Sequence, residues 1–188
     1  LEKLKHDSEL YVRKSIANHL NDIAKDHPEV VLGVLKKWKS GAPEIHADKI
    51  EWIIHRSLRS LIKAGHPGAL TLIGASPDIR VQVRGLAINR AKFRVGDRLE
   101  FSFEIHSQAR SPQKLVVDYV IHYMKSNGRT APKVFKLKTL NLTPGGSVKI
   151  EKAHHLKAVT TRKHYPGKHR IEVQINGRSY GIKDWSLT

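Results

Sequence analysis

In roughly the first 76 residues, apolar side chains return every three or four positions; beyond Ala75 they return every second position. Val12, Ile16, Leu20 and Ile23 make one stripe at the spacing of a buried helix face. A shift of 38 residues lays Ile50, Ile54, Leu58 and Leu61 over them. Each stripe runs into a His-Pro pair, His27-Pro28 and His66-Pro67, and proline suits the first turn of a following helix. A second apolar run follows each break: Val30, Val31, Val34 and Leu35, then Ala69, Leu70, Leu72 and Ile73. Asp7 is expected to cap the first helix, Asp26 the second, and Gly65 to stop the helix before the second break.

The pattern predicts two helix–turn–helix units, the repeat of a HEAT-type solenoid. Two repeats bury little by themselves, because about three are usually needed for stability. The chain also opens on Leu1 rather than Met. It is therefore expected to be the C-terminal part of something longer.

After the change of period the pattern predicts strands. Leu99, Phe101, Phe103 and Ile105 alternate with Arg98, Glu100, Ser102 and Glu104, and Leu115 to Lys125 alternates likewise. Strands over Val134 to Leu142 and Ser147 to Ala153 follow, then a hairpin, Arg170 to Ile175 and Arg178 to Trp185, turning on Asn176-Gly177. Tyr165-Pro166-Gly167 offers a tyrosine corner. About seven short strands suit an immunoglobulin-like sandwich. The fold expected is multidomain α and β: HEAT-like repeats over 1–76, an extended linker over 77–89, and an immunoglobulin-like β-sandwich over 90–188.

Charge divides at the same place. The whole chain carries a formal +17. Residues 1–76 hold 12 Lys/Arg against 9 Asp/Glu, and the rest 22 against 8, so the β-rich part carries +14 of the excess. An excess of that size points to a polyanionic partner. Cysteine is absent, which excludes disulfides and thiolate metal sites. No apolar run approaches the roughly 20 residues that span a bilayer, so an intracellular location is the default.

Opposite the expected stripes, at 100° per residue, lie Lys14, Asn18, Asn21 and Lys25 on the first helix. Their counterparts 38 residues on are Trp52, Arg56, Arg59 and Lys63. These eight positions hold five cations and no acid. Lys and Arg neutralise phosphates, amides bond to phosphate or base edges, and Trp52 suits a sugar or base face. Asp22 stands at the rim; beside cations a carboxylate stays ionised and could stabilise an oxocarbenium-like sugar or orient a water. The bland readings are a solvated face and a salt bridge from Asp22 to Lys25. In the β-rich part Arg110, Lys114, Lys133, Lys136, Lys138, Arg162, Lys163, Lys168 and Arg170 would support nonspecific duplex binding. His154-His155, His164 and His169 cluster loosely, without the spacing of a closed metal site. No metal and no cofactor is expected.

The runs YVRKSIANHLNDIAKDHPEVVL and WIIHRSLRSLIKAGHPGALTLIG resemble the HEAT-repeat DNA alkylation-repair glycosylases, specifically the AlkC branch of the AlkC/AlkD superfamily. The segments QKLVVDYVIHYMKSNGRTAPKVFKLKTLNL and YPGKHRIEVQING look like the immunoglobulin-like domain that some AlkC-type proteins carry. The resemblance implies hydrolysis of the N-glycosidic bond of cationic alkylated bases, notably 3-methyladenine, in duplex DNA, without flipping the base into a pocket. It implies a bacterial, cytoplasmic, nucleoid-associated protein acting as a monomer. By that analogy Asp22 is the carboxylate of the mechanism, and Asn18, Trp52 and Arg56 contact the lesion or the backbone. The preceding repeats, which should supply other catalytic groups, are absent from this sequence. Two other functions fit the residues: a non-catalytic DNA-binding module, and a protein-binding adaptor, against which the scarcity of apolar anchors on the strip argues.

Overall fold

The computed structural model describes residues 1–158 and 163–188, which form two compact units, Leu1–Pro77 and Asp78–Thr188. The first unit is helical: α1 (Leu10–Asp26), α2 (Pro28–Ser40), α3 (Ala47–Ser57), α4 (Arg59–Lys63) and α5 (Pro67–Leu72), with 3-10 turns at Glu2–Leu4 and Glu44–His46. Pro28 and Pro67 both open a helix, where the missing N–H is not needed.

The second repeat is closed twice by the same device. Gly65 (φ 72°) and Gly74 (φ 75°) adopt the left-handed conformation that follows a helix. After each, a backbone N–H reaches back across the last turn, from His66 to Leu61 (2.9 Å) and from Ala75 to Leu70 (2.8 Å).

The apolar stripe of α1 is wider than expected and rotated. Ile16, Ala17, Leu20, Asn21 and Ala24 are buried, while Val12 and Ile23 are only half-buried. Ala17 and Ala24 are small enough to let α3 and α4 come close, which draws that side of the helix inward. Against them pack Val31, Leu35 and Trp38 of α2 and Ile50, Ile53, Ile54 and Leu58 of the following inner helix. Each such side chain contributes about 1.5–3 kcal/mol on burial.

Two capping expectations are corrected. Asp26 is the last residue of α1, and α2 starts without a side-chain cap because proline already fills its first position. Asp7 accepts from the Glu9 N–H (2.7 Å) in the turn before α1, whose N-cap is Glu9.

The second unit is an immunoglobulin-like sandwich. One sheet orders β1 (Val81–Ile88), β3 (Arg98–Ser107) and β6 (Ser147–His155); the other orders β2 (Lys92–Phe93), β8 (Arg178–Leu187), β7 (Gly167–Ile175), β4 (Gln113–Met124) and β5 (Thr130–Leu142). All pairings are antiparallel except β2 with β8. Leu99, Phe101, Phe103 and Ile105 face Leu115, Val117, Tyr119, Ile121 and the inner side of β7 across the core.

The expected linker 77–89 is instead largely strand. Val81–Ile88 pairs with β3, and the register shifts between Arg84 and Ala87, where Gly85 takes φ 63°. The bulge moves the inward positions from 81 and 83 to 86 and 88, so period two is interrupted mid-strand and the sequence shows no clean alternation. Tyr165 acts through its carbonyl, which accepts from His169 (3.0 Å), and its ring lies beneath Lys163.

The β7–β8 hairpin turns on Asn176 (φ 46°) and Gly177 (φ 80°), as the Asn-Gly pair predicts. Asn176 is buried and bound to β4: its Oδ1 accepts the Val116 N–H (2.7 Å), its main-chain N–H donates to the Val116 carbonyl (2.9 Å), and its Nδ2 donates to the Lys114 carbonyl (3.3 Å). Asn176→Ala strands the buried Val116 N–H and puts a Cβ without compensation at positive φ, so it should destabilise the sandwich by at least about 2 kcal/mol. Chemical denaturation read through Trp185 tests this; wild-type stability in the variant would contradict it.

Candidate nucleic-acid interface

The two expected rows lie on α1 and on the inner helix of the second repeat, but that helix is not continuous. It breaks at Leu58 (φ −93°, ψ 7°), between α3 and α4, with no proline or glycine at the break. An unbroken helix would pair the Ser60 N–H with the Arg56 carbonyl. Here the Arg56 carbonyl accepts Arg59 Nη1 (2.7 Å), and the Ser60 N–H lies 3.4 Å from Asn21 Oδ1, which also accepts the Ser60 hydroxyl (3.0 Å).

Asn21 is therefore not on the exposed strip. It is 2% exposed and joins α1 to the break. Sequence reasoning placed it outward because 14, 18, 21 and 25 share one helical face. Position 21 also adjoins Ala17 and Ala24, and those small residues pull the edge of that face into the core.

The remaining positions fall into two states. Lys14, Asn18, Asp22 and Lys25 are exposed on α1. Trp52, Arg56, Arg59 and Lys63 are half-buried. The Arg56 guanidinium lies over the Trp52 ring, 5.5 Å from its centroid, so the indole is already stacked on a cation.

Asp22 is bonded to Lys25 Nζ at 2.7 Å and its side chain is 65% exposed. The Lys25 ammonium, helped by the Arg59 charge, holds its carboxyl below the usual aspartate range. Such a carboxylate is an anion at neutral pH and no proton donor. It can face a developing positive charge or accept a proton from water, and the partner it must share is Lys25. The salt bridge set out as the bland reading is thus present.

Among the described residues, the basic side chains of the sandwich are spread over several strands and loops. Lys133, Lys136 and Lys138 lie exposed along β5, the edge strand of its sheet. Lysines there also keep the edge from pairing with another chain. Arg110 is in the β3–β4 loop, Lys114 is the second residue of β4, Lys168 and Arg170 are on β7, and Arg170 is bonded to Asp184 (2.8 Å). Arg162 lies outside the described residues.

The histidines come closer than their spacing suggests: the rings of His154, His164 and His169 all pack around Tyr123. Their nitrogens serve the fold. His154 is held between the hydroxyls of Tyr119 (2.9 Å) and Tyr123 (2.8 Å), and burial pushes the Tyr119 phenol up to about 12. His164 Nε2 bonds the Lys157 carbonyl (2.9 Å). Among the described residues no group of three or more metal-ligating side chains could hold an ion.

A family model described as the C-terminal Ig-like domain of the uncharacterised protein YhaZ matches residues 82–188. The chain belongs to the YhaZ family. It is 40% identical to the uncharacterised YhaZ of Bacillus subtilis (strain 168) over 184 residues, 98% of this chain and 49% of that protein. It is also similar over its full length to the Pseudomonas fluorescens alkylpurine DNA glycosylase AlkC bound to DNA containing an abasic site analog, at 46% identity and a TM-score of 0.91, covering 51% of that chain. In sequence and fold it is an AlkC-type, glycosylase-like protein. A β-glucosidase from Erythrobacter marinus, 16% identical with a TM-score of 0.50 over 58% of this chain and 16% of its own, shares the fold alone. The chain spans about half the length of the YhaZ and AlkC relatives it matches.

His169 gives the sandwich a pH dependence. Its Nδ1 accepts the Met124 N–H (3.3 Å) and its Nε2–H donates to the Tyr165 carbonyl, with the ring stacked 4.4 Å from Trp185. Burial pushes its pKa below the ordinary 6.5, and protonation would set an N–H against the Met124 N–H. The folded pKa is depressed, so the stability His169 contributes is fully present above pH 6.5 and is lost as pH falls toward the folded pKa. Denaturation midpoints from pH 7.5 to 5 should therefore fall, and less steeply in His169→Phe; equal slopes would contradict this.

Proposed function

We propose that this chain is the DNA-gripping C-terminal part of a DNA glycosylase that releases cationic alkylated bases, 3-methyladenine among them, from duplex DNA. The observation that carries the proposal is an exposed carboxylate, Asp22, kept ionised among the cations of α1 and the α3–α4 break, in a chain 46% identical to a glycosylase held on DNA with an abasic site analog. Lys14, Lys25, Arg56 and Lys63 neutralise phosphates, and Asn18 adds an amide to the same face. Trp52 keeps Arg56 aligned by stacking beneath it.

The chemistry suits such a site. A base alkylated to a cation leaves with the electron pair of the C1′–N bond, which cancels its charge, so no strong acid has to protonate it. Positive charge then develops on the sugar, and a fixed carboxylate stabilises it electrostatically. Water adds its oxygen to C1′ and gives up a proton, for which Asp22 is an acceptor. Reorganisation around Asp22 is small, because Lys25 already holds it.

The Asp22–Lys25 pair favours a second reading, a DNA-binding module without catalysis, in which Asp22 only orders Lys25 for a phosphate.

The full-length parent protein should release free 3-methyladenine from methylated duplex DNA. Asp22→Asn should lower the rate by about 100-fold or more, the scale of losing one fixed electrostatic group, with duplex affinity little changed. Base release at the wild-type rate would remove Asp22 from the mechanism; strong duplex binding with no release by the wild type would leave the binding module.

Lys14→Ala, Arg56→Ala and Lys63→Ala should each weaken binding to all duplex sequences alike. Each should also reduce the slope of log K against log salt by about one. An unchanged slope would place that residue away from phosphate.

A further inference from the structure

We propose that residues 1–7 are a strap, latched by the stacked imidazoles of His6 and His46, that opens when His6 takes up a proton.

The segment ahead of α1 folds back over the joint between α2 and α3. Its 3-10 turn, Glu2–Leu4, is closed by the Leu4 N–H on the Leu1 carbonyl (2.9 Å), and the Asp7 N–H then bonds the Leu4 carbonyl (3.0 Å). Glu2 accepts the indole N–H of Trp38 (2.5 Å), which lies buried in the last turn of α2. Lys5 pairs with Glu2 and lies over the same indole, 5.8 Å from its centroid. One residue further, His6 stacks on His46, which immediately precedes α3, with ring centroids 4.5 Å apart and planes 24° from parallel. The strap thus grips the end of one helix and the start of the next.

The stack suits neutral rings. Nδ1 of each is buried and has no hydrogen-bond partner. A neutral imidazole can leave that nitrogen as a bare acceptor, whereas an imidazolium carries an N–H on both nitrogens and would bury one unpaired.

The surroundings act in the same direction. Burial pushes the His6 pKa below the ordinary 6.5, and the charges of His46, of Lys5 in the strap and of Lys49 on α3 push it further. Glu2 opposes them, but it is already shared by Lys5 and Trp38 and also faces Lys37 of α2. Glu44 and Asp48 stand two residues to either side of His46, and no ion pair joins them to it. The closed strap therefore holds the proton more weakly than the open one. Its stability is whole above pH 6.5 and is lost as pH falls toward the folded pKa of His6. Glu2 does not open it in that range, because Lys5 and then Trp38 hold its carboxyl below the ordinary 4.5.

Amide exchange and the Trp38 indole N–H signal, followed from pH 7.5 to 5, test the latch. Protection of the Leu4 and Asp7 amides should fall by up to about tenfold for each pH unit between 6.5 and the folded pKa. The Trp38 signal should move with it, while the α1 and α2 amides keep their protection. His6→Phe keeps a ring to stack and cannot take up the proton, so its strap should stay closed to pH 5. His46→Phe leaves His6 in place, and its strap should still open.

Protection that is flat with pH in the wild type, or that falls equally in His6→Phe, would overturn the proposal. A pH response lost in His46→Phe but kept in His6→Phe would put the proton on the other ring and overturn it equally. Loss of protection throughout α1 and α2 at the same midpoint would make the event unfolding of the unit, not release of a strap, and would also overturn it.

Discussion

A helix that breaks without proline or glycine has to find partners for the hydrogen-bonding groups the break releases. At Leu58 the Arg56 carbonyl and the Ser60 N–H come free, inside a unit whose inner helices are otherwise closed by apolar packing. Arg59 satisfies the first from its own helix and Asn21 the second from α1. The exposed strip depends on that exchange, because it ties the inward-facing Asn21 to the break and folds Arg59 back, while Asp22 pairs with Lys25. Had the helix run straight, the two rows of cations would follow the simple register of the sequence repeat.

This explains which parts of the site were legible. Lys14, Asn18 and Lys25 are exposed as the helical period requires, and the pairing of Asp22 with Lys25 follows from a spacing of three residues. Asn21 was misplaced because periodicity weighs a position by its angle alone. The pull of Ala17 and Ala24 on the helix surface is a packing effect, visible only once α3 and α4 are in place. Nothing in HRSLRS announces a break, since its cause is tertiary: the partners that stabilise it are 39 residues apart in the case of Asn21 and Ser60. Trp52 was read as suited to a sugar or base face, and the stacking of the Arg56 guanidinium on its ring was not legible in the sequence.

In the sandwich the same contrast holds. β3, β4 and the Asn176-Gly177 hairpin follow from alternation and turn chemistry, because both signals are local. β1 escaped because the bulge at Gly85 changes the phase of its inward residues midway. The histidines looked scattered in sequence, and the fold gathers three of them around Tyr123 for packing and hydrogen bonding. Part of the positive charge of this unit has a structural use, since three of its lysines guard an edge strand.

The central claim is that the exposed face of α1, with the inner helix of the second repeat, meets the DNA backbone. Titrating the protein with a short duplex containing an abasic-site analogue, while following amide and side-chain chemical shifts, tests it most directly. The account predicts that Lys14, Asn18, Lys25, Arg56 and Lys63 move together, by amounts that shrink as salt is raised, while the α2 and α5 resonances stay in place. Shifts confined to α2 and α5, or none on α1 at low salt, would contradict it.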